Sequence, residues 1–233
     1  AAINMVYGVA AAGLRVMTSS SSPGVSLKSE GLSYIAGSDL PSFIVNVERG
    51  GPGLGGIQPS QSDYFMATKA GGHGDFRMIV LAPASVQEMA DLTVKGFDLA
   101  DEYRMTSMIL ADGTMGQMME PVSLEFGEPK KFDKPWATTG TQMKRKHNIV
   151  NSLYLVPEEL EKGNFERFER YAKIEQKEPE KTNELVEKKS YAPTLKPEPM
   201  LPMKKAGFAD ALILTIIVLV YAAIIINLIL KLK

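Results

Sequence analysis

The residues whose types and spacing could do chemistry run from Arg49 to Tyr64: Arg-Gly-Gly-Pro-Gly-Leu-Gly-Gly-Ile-Gln-Pro-Ser-Gln-Ser-Asp-Tyr. They follow an apolar, β-branched run, Phe43-Ile-Val-Asn-Val47. A strand that empties into glycines, with one Arg at the junction, sets a fixed cation and bare backbone N–H groups at the strand's carboxyl end. Open α/β sheets take anionic ligands there. A glycine-rich surface loop with a solvated Arg meets the same pattern. Gly51, Gly53 and Gly56 also satisfy G-x-G-x-x-G, but the dinucleotide fingerprint needs a helix that opens on its last glycine. Here Gly56 leads into Ile57-Gln-Pro-Ser60, so a nucleotide-binding reading rests on glycine spacing alone.

Composition narrows the classes. A formal net charge of -1 over 233 residues makes neither nucleic acid nor an anionic surface an evident partner. The absence of Cys excludes disulfides, thiolate nucleophiles and cysteine-held iron–sulfur clusters within this chain. It also fits a reducing compartment. His73 and His147 lie far apart without metal-ligand spacing, so no structural metal is expected. The sequence starts at Ala1 without an initiator Met and within a helical pattern, as a fragment or a processed chain would.

The elements that must position Arg49 follow from pattern. Ala1 to Ala12 predicts a small-residue helix closed by Gly13. Arg15 to Thr18 predicts a short strand. Ser19 to Gly24 predicts a tight turn and a helix N-terminus, with the helix running from about Val25 to Gly37 and Leu27, Leu32, Tyr34 and Ile35 on its apolar positions. The strand Phe43 to Val47 then delivers the Arg49 loop. Ser60-Gln-Ser-Asp63 caps a helix to about Lys69, and Gly71 to Asp75 forms a turn. Arg77 to Leu81 reads as a strand covered on both faces. Ser85-Val-Gln-Glu88 is a capping box that opens an amphipathic helix to about Tyr103. Its apolar positions are Met89, Leu92, Val94, Phe97, Leu99 and Ala100. Thr106 to Leu110 is the next strand. Strand, helix and strand at this spacing predict an α/β fold with a parallel sheet and flanking helices over 1–129.

Beyond it, 130–177 reads as an extension with a basic knot at Lys144-Arg-Lys146. A polar helix starts at Pro157, bears Phe165, Phe168 and Tyr171 as a packing stripe, and ends at Pro179. The stretch 178–210 reads as a charged, Pro-rich tether. Ala211 to Leu230 is an uncharged apolar run between Lys204-Lys205 and Lys231, long enough to cross a bilayer as a helix. A buried core helix is the alternative, though such a helix is rarely apolar on every face. The flanking lysines favour an amino-terminal part left in the cytoplasm and anchored to the membrane by 211–230. Asn227 within the span can hydrogen-bond to a neighbouring helix.

Several segments together resemble a known family. They are Ala1-Ala-Ile-Asn-Met-Val-Tyr7, Val16-Met-Thr-Ser-Ser-Ser-Ser-Pro-Gly24, Arg49-Gly-Gly-Pro-Gly-Leu-Gly55, Gln58-Pro-Ser-Gln-Ser-Asp-Tyr-Phe65, Ala82-Pro-Ala-Ser-Val-Gln-Glu88 and Gly116-Gln-Met-Met-Glu-Pro121. They are similar to the alpha-type subunit of 2-oxoacid:ferredoxin oxidoreductases, in particular the 2-ketoisovalerate (branched-chain 2-oxoacid) enzymes. The 2-oxoglutarate and pyruvate enzymes are the next match. The likeness runs nearly continuously from Ala1 to about Lys177. It implies a pyrimidine-binding domain of the thiamine-diphosphate fold. A beta-type partner subunit would hold the diphosphate and Mg²⁺, and an iron–sulfur subunit would pass electrons to ferredoxin. The implied reaction is oxidative decarboxylation of a 2-oxoacid to an acyl-CoA.

By the resemblance, Arg49 matches the family's active-site Arg, with Gly50 and Gly51 beside it at the substrate. A permanent planar cation suits a 2-oxoacid carboxylate, which it can grip with two parallel N–H bonds. Ser19, Ser20, Ser21, Ser22, Pro23 and Gly24 match the loop that faces the cofactor, although the same residues suit a purely structural turn. Asp63 matches an acidic position beyond the Arg. The sequence also departs from the family. The family's catalytic Glu, which protonates the aminopyrimidine ring, and its Tyr-Pro-x-Thr-Pro loop would precede Ala1. The chain diverges around Gln176 to Lys181 into the tether and apolar run. The chain alone is therefore expected to be inactive, because loss of an acid–base partner costs about two to four orders of magnitude in rate. A catalytically incompetent, membrane-tethered docking module, or a fragment derived from the family, is the alternative reading.

Overall fold

The computed structural model describes residues 1–69, 71–128, 130–139 and 146–188. The predicted basic knot and membrane span, with the tether beyond Lys188, fall at least in part outside these residues. Among the described residues no helix is long and apolar enough to cross a membrane.

Four parallel strands form one sheet in the order β1-β2-β4-β3, with β1 Met17–Ser21, β2 Ser42–Glu48, β3 Ile79–Leu81 and β4 Thr106–Asp112. The predicted α/β fold with a parallel sheet and flanking helices is therefore present. Side chains alternate across a strand, and β2 uses both faces. Ile44 belongs to the core under α1 (Ala2–Ala11) and α3 (Ser29–Gly37), with Ile3, Val6, Leu32 and Ile35. Phe43 and Val45 face α5 (Val86–Tyr103) with Met89, Leu92 and Phe97. Close packing on that second face depends on Gly96, where a Cβ would sit 2.4 Å from the Phe43 ring. The α5 cap works as a capping box in altered form. Glu88 N–H donates to Ser85 Oγ at 3.1 Å, while Glu88 Oε2 accepts from Ala84 N–H rather than from Ser85.

Four expectations need correction. The serine run is not a turn: β1 continues to Ser21 and a short helix, α2 (Ser22–Ser26), starts at once with Pro23 in its first turn. The helix expected over Val25 to Gly37 is broken at Leu27 and Lys28, so Leu27, expected to be buried, is 87% exposed. Lys28 Nζ caps the free Gly24 carbonyl at that break. The strand expected over Arg77 to Leu81 keeps only Ile79–Leu81 at a half-buried sheet edge, because Arg77 turns away to pair with Glu175 and lie over Tyr171. Finally α6 (Pro157–Lys188) passes through Pro179 and takes in the first residues of the predicted tether.

The first compact unit covers Ala1–Glu180, so the 130–177 extension packs on the sheet domain. Thr138 N–H donates to Ala11 O at 2.8 Å, and Lys134 Nζ meets Asp101 at 2.5 Å. The inward face of α6 is Arg167, Tyr171 and Ile174, spaced at one helical period, while Phe165 and Phe168 of the expected stripe stay exposed. Asp39, in left-handed backbone at φ 50, accepts from both Arg167 Nε and Arg170 Nη2. The second unit begins at Lys181, and of it only the helix to Lys188 is described.

Candidate functional site

The carboxyl ends of β1, β2 and β4 lie side by side, and the Arg49 loop leaves from the middle one. The loop closes on itself. Gly50 N–H donates to Gln58 O at 3.0 Å, and Gly56 N–H donates to Gly50 O at 2.9 Å. Gly53 and Gly55 take positive φ, and the Gly51–Pro52 peptide is cis. A Cβ on Gly55 would sit 1.7 Å from Gly50 O, so the closure admits only glycine there. No helix opens on Gly56. The next one, α4 (Tyr64–Lys69), starts eight residues later, which removes the dinucleotide reading.

Arg49 is half-buried. One hydroxyl fixes its backbone: Arg49 N–H donates to Ser22 Oγ at 3.0 Å, and Ser22 Oγ is 3.3 Å from Arg49 O. Ser62 Oγ donates to the same carbonyl from the far side of the loop. The guanidinium Nη1 donates to Leu54 O at 2.8 Å and Gly56 O at 3.1 Å. These bonds hold the side chain within its own loop without neutralising it, and no carboxylate pairs with it among the described residues. An Arg kept charged, oriented and without a counter-ion at a strand's carboxyl end is suited to take an anionic ligand. Gly50 and Gly51 flank it, and a Cβ on Gly51 would meet nothing within 4 Å, so the backbone is open to approach there.

Of the expected cofactor-facing residues, Ser19, Ser20 and Ser21 end β1 next to this loop, and Pro23 and Gly24 lie in the first turn of α2. Ser22 is buried and spends its hydroxyl on the Arg49 backbone. It is therefore a loop anchor, which sets it apart from the three serines before it.

Two site residues escaped the sequence pattern. Asn46 is 0% exposed and Glu48 is 3% exposed, and both converge on Asp63. Asn46 Nδ2 donates to Asp63 Oδ2 at 2.9 Å, and Asp63 N–H donates to Glu48 Oε2 at 2.6 Å. Burial pushes the Glu48 carboxyl up. The nearby Asp63 and Asp112 push the same way, against the hydrogen bond from Asp63 N–H. The signal was present as two polar residues at alternate positions of an otherwise apolar strand. Alternation of that kind ordinarily marks a solvent face. Among the described residues no three His, Cys, Asp or Glu side chains are grouped to hold a metal ion. His73 packs edge-on against Tyr34 and His147 is exposed.

Known proteins share this arrangement of segments. Residues 1–194 match the model of the family described as pyruvate flavodoxin/ferredoxin oxidoreductase, thiamine diphosphate-binding. The ketoisovalerate oxidoreductase subunit VorB of Methanothermobacter thermautotrophicus is 54% identical over 179 residues, 76% of this chain and 51% of that protein. The 2-oxoglutarate synthase subunit KorA of the same organism is 44% identical over 126 residues, 53% of this chain and 33% of that protein. Among solved structures, a 2-oxoglutarate:ferredoxin oxidoreductase from Magnetococcus marinus aligns with a TM-score of 0.46 and 41% identity, covering 48% of this chain and 20% of that one. The chain spans about half the length of the curated ketoisovalerate relatives it matches.

Proposed function

This chain belongs to the pyruvate flavodoxin/ferredoxin oxidoreductase, thiamine diphosphate-binding family, and from that membership we propose that it serves as the pyrimidine-side part of a 2-oxoacid oxidoreductase. The preferred substrate class is a branched-chain 2-oxoacid such as 2-ketoisovalerate. Greater identity over a longer stretch to VorB than to KorA supports that class. The reaction is oxidative decarboxylation to an acyl-CoA with electrons passed to ferredoxin. A beta-type partner subunit supplies the diphosphate and Mg²⁺ site, and iron–sulfur clusters reside on other subunits.

The observation that carries this reading is Arg49, fixed at both backbone groups and without a counter-ion among the described residues. It would bind the carboxylate of the 2-oxoacid, with Gly50 and Gly51 permitting close approach. The hydroxyls at the end of β1 fit the cofactor. Ser22 and Ser62 hold the loop, which leaves Ser19, Ser20 and Ser21 outside that set and available to the polar edge of an aminopyrimidine. Pro23 and Gly24 continue the same edge. When bound, thiamine diphosphate supplies the carbon nucleophile that adds to a 2-oxoacid and accepts the electrons released with CO₂. This chain's residues bind and orient the substrate and shield it from water. The apolar run 211–230, long enough in sequence to cross a bilayer, supports a membrane anchor for a cytoplasmic domain.

The test is steady-state turnover of the assembled enzyme with 2-ketoisovalerate and with 2-oxoglutarate. Arg49→Ala is expected to lose roughly 10- to 150-fold in kcat/KM, from about 1.5–3 kcal/mol for a charged hydrogen bond. Arg49→Lys keeps the charge but not the fork and should recover part of that loss. An Arg49→Ala enzyme with unchanged kcat/KM on either acid would overturn the role given to this residue.

A further inference from the structure

Glu48 ends β2 with its carboxyl buried, in a setting that offers it no counter-charge among the described residues. The charged groups facing it are both acids: Asp63, ahead of α4, and Asp112, its register partner on β4. Arg49, the next residue, directs Nη1 at the Leu54 and Gly56 carbonyls instead. An ionised Glu48 would therefore be a buried anion offset by a single backbone N–H, that of Asp63.

Two positions back on the same strand face, Asn46 presents the complementary defect. Its Oδ1 is buried and has no hydrogen-bond partner, while its Nδ2 donates to Asp63 Oδ2. Turning the amide over would set Oδ1 against the Asp63 carboxylate, acceptor against acceptor, and would only move the defect. A buried acid without a cation and a buried acceptor without a donor thus stand on one face, both bonded to the same residue. One proton resolves both.

We propose that Glu48 is held in its protonated form and donates that proton to Asn46 Oδ1, closing a ring of Glu48, Asn46 and Asp63 that pins the start of α4. Through that ring Glu48 acts as a positioning residue for Arg49. Asp63 follows Ser62 directly, and the Ser62 hydroxyl holds the Arg49 carbonyl. The ring itself is independent of the substrate assigned to the site.

The consequence for stability has a definite sign. The folded-state value of Glu48 lies above its unfolded value. The protonated ring contributes fully below the ordinary carboxylate range, and its contribution falls as pH rises through the raised value. Glu48→Gln keeps a neutral donor and acceptor but cannot titrate. Measured on the full chain, its Tm should match the wild type at the acid end of the window. It should then exceed the wild type by about 2–5 °C per pH unit within the window. The wild-type chain gives a second readout that does not depend on how the variant folds. Infrared spectra taken above the ordinary carboxylate range should contain a protonated-carboxyl band that is lost as pH rises further. A wild type without that band overturns the proposal, as does a Glu48→Gln chain whose Tm follows pH in parallel with the wild type. In either case Glu48 is ionised and Asn46 Oδ1 is served by water.

Discussion

Ser22 holds Arg49 by both of its backbone groups, so the orientation of the guanidinium depends on a hydroxyl far away in sequence. Ser22→Ala leaves the Arg49 N–H unpaired and is expected to cost about 1–3 kcal/mol. Urea denaturation would show this as a lower midpoint at unchanged slope. Activity of the assembled enzyme should fall with it, because the loop would no longer fix its cation. An unaltered midpoint would remove Ser22 as the anchor. Arg49 was legible in the sequence because a lone cation between a β-branched run and glycines has no apolar surface of its own to cover. Ser22 was less so: four serines in a row carry nothing that separates the anchor from its neighbours. Asn46 and Glu48 were hidden by their own alternation, which resembles a solvated strand face until both are seen buried and bonded to Asp63.

At the scale of elements, the Ser85 cap and the central strands β2 and β4 followed local rules, and the breaks did not. The Ser85 cap was readable because its chemistry is local, and Ser85→Ala should destabilise the fold by about 0.5–2 kcal/mol in thermal or chemical melts. A variant as stable as the parent would mean that α5 is held by packing alone. The division of the helix after β1 into α2 and α3 was not readable. Its apolar spacing continues across Leu27 and Lys28, and only the docking of each piece on the sheet exposes the break. Pro179 shows the opposite error. A proline inside a helix costs about 3 kcal/mol, yet good helix formers on both sides carry α6 past it. Arg77 left its strand for Glu175 and Tyr171, partners about a hundred residues away that no local pattern reveals.

Over the whole first unit, the extension is bound to the sheet domain by ion pairs as well as by apolar contacts. Asp39 faces Arg167 and Arg170, and Arg104 donates to its carbonyl, so one aspartate serves three guanidinium groups. Burial and the nearby Arg170 lower the Arg104 value, against the pull of Asp39. Asp39→Asn keeps the left-handed backbone comfortable but removes the carboxylate that faces that cluster. It should cost about 2–3 kcal/mol, below the 3–5 kcal/mol of a fully buried pair because Asp39 keeps some exposure. Faster proteolysis within α6 would report the loosening, and an unchanged digestion pattern would contradict it. The parallel sheet was legible from periodicity, whereas this clamp joins residues more than 120 positions apart.

At the centre stands the proposal that this chain forms one side of a thiamine diphosphate site completed by a beta-type subunit. The most direct measurement is calorimetric titration of thiamine diphosphate with Mg²⁺ into the chain alone, and into its complex with a 2-ketoisovalerate-type beta subunit. Tight binding to the complex is expected, and none to the isolated chain. Equal binding by the isolated chain, or failure of the two subunits to associate at all, would contradict that proposal.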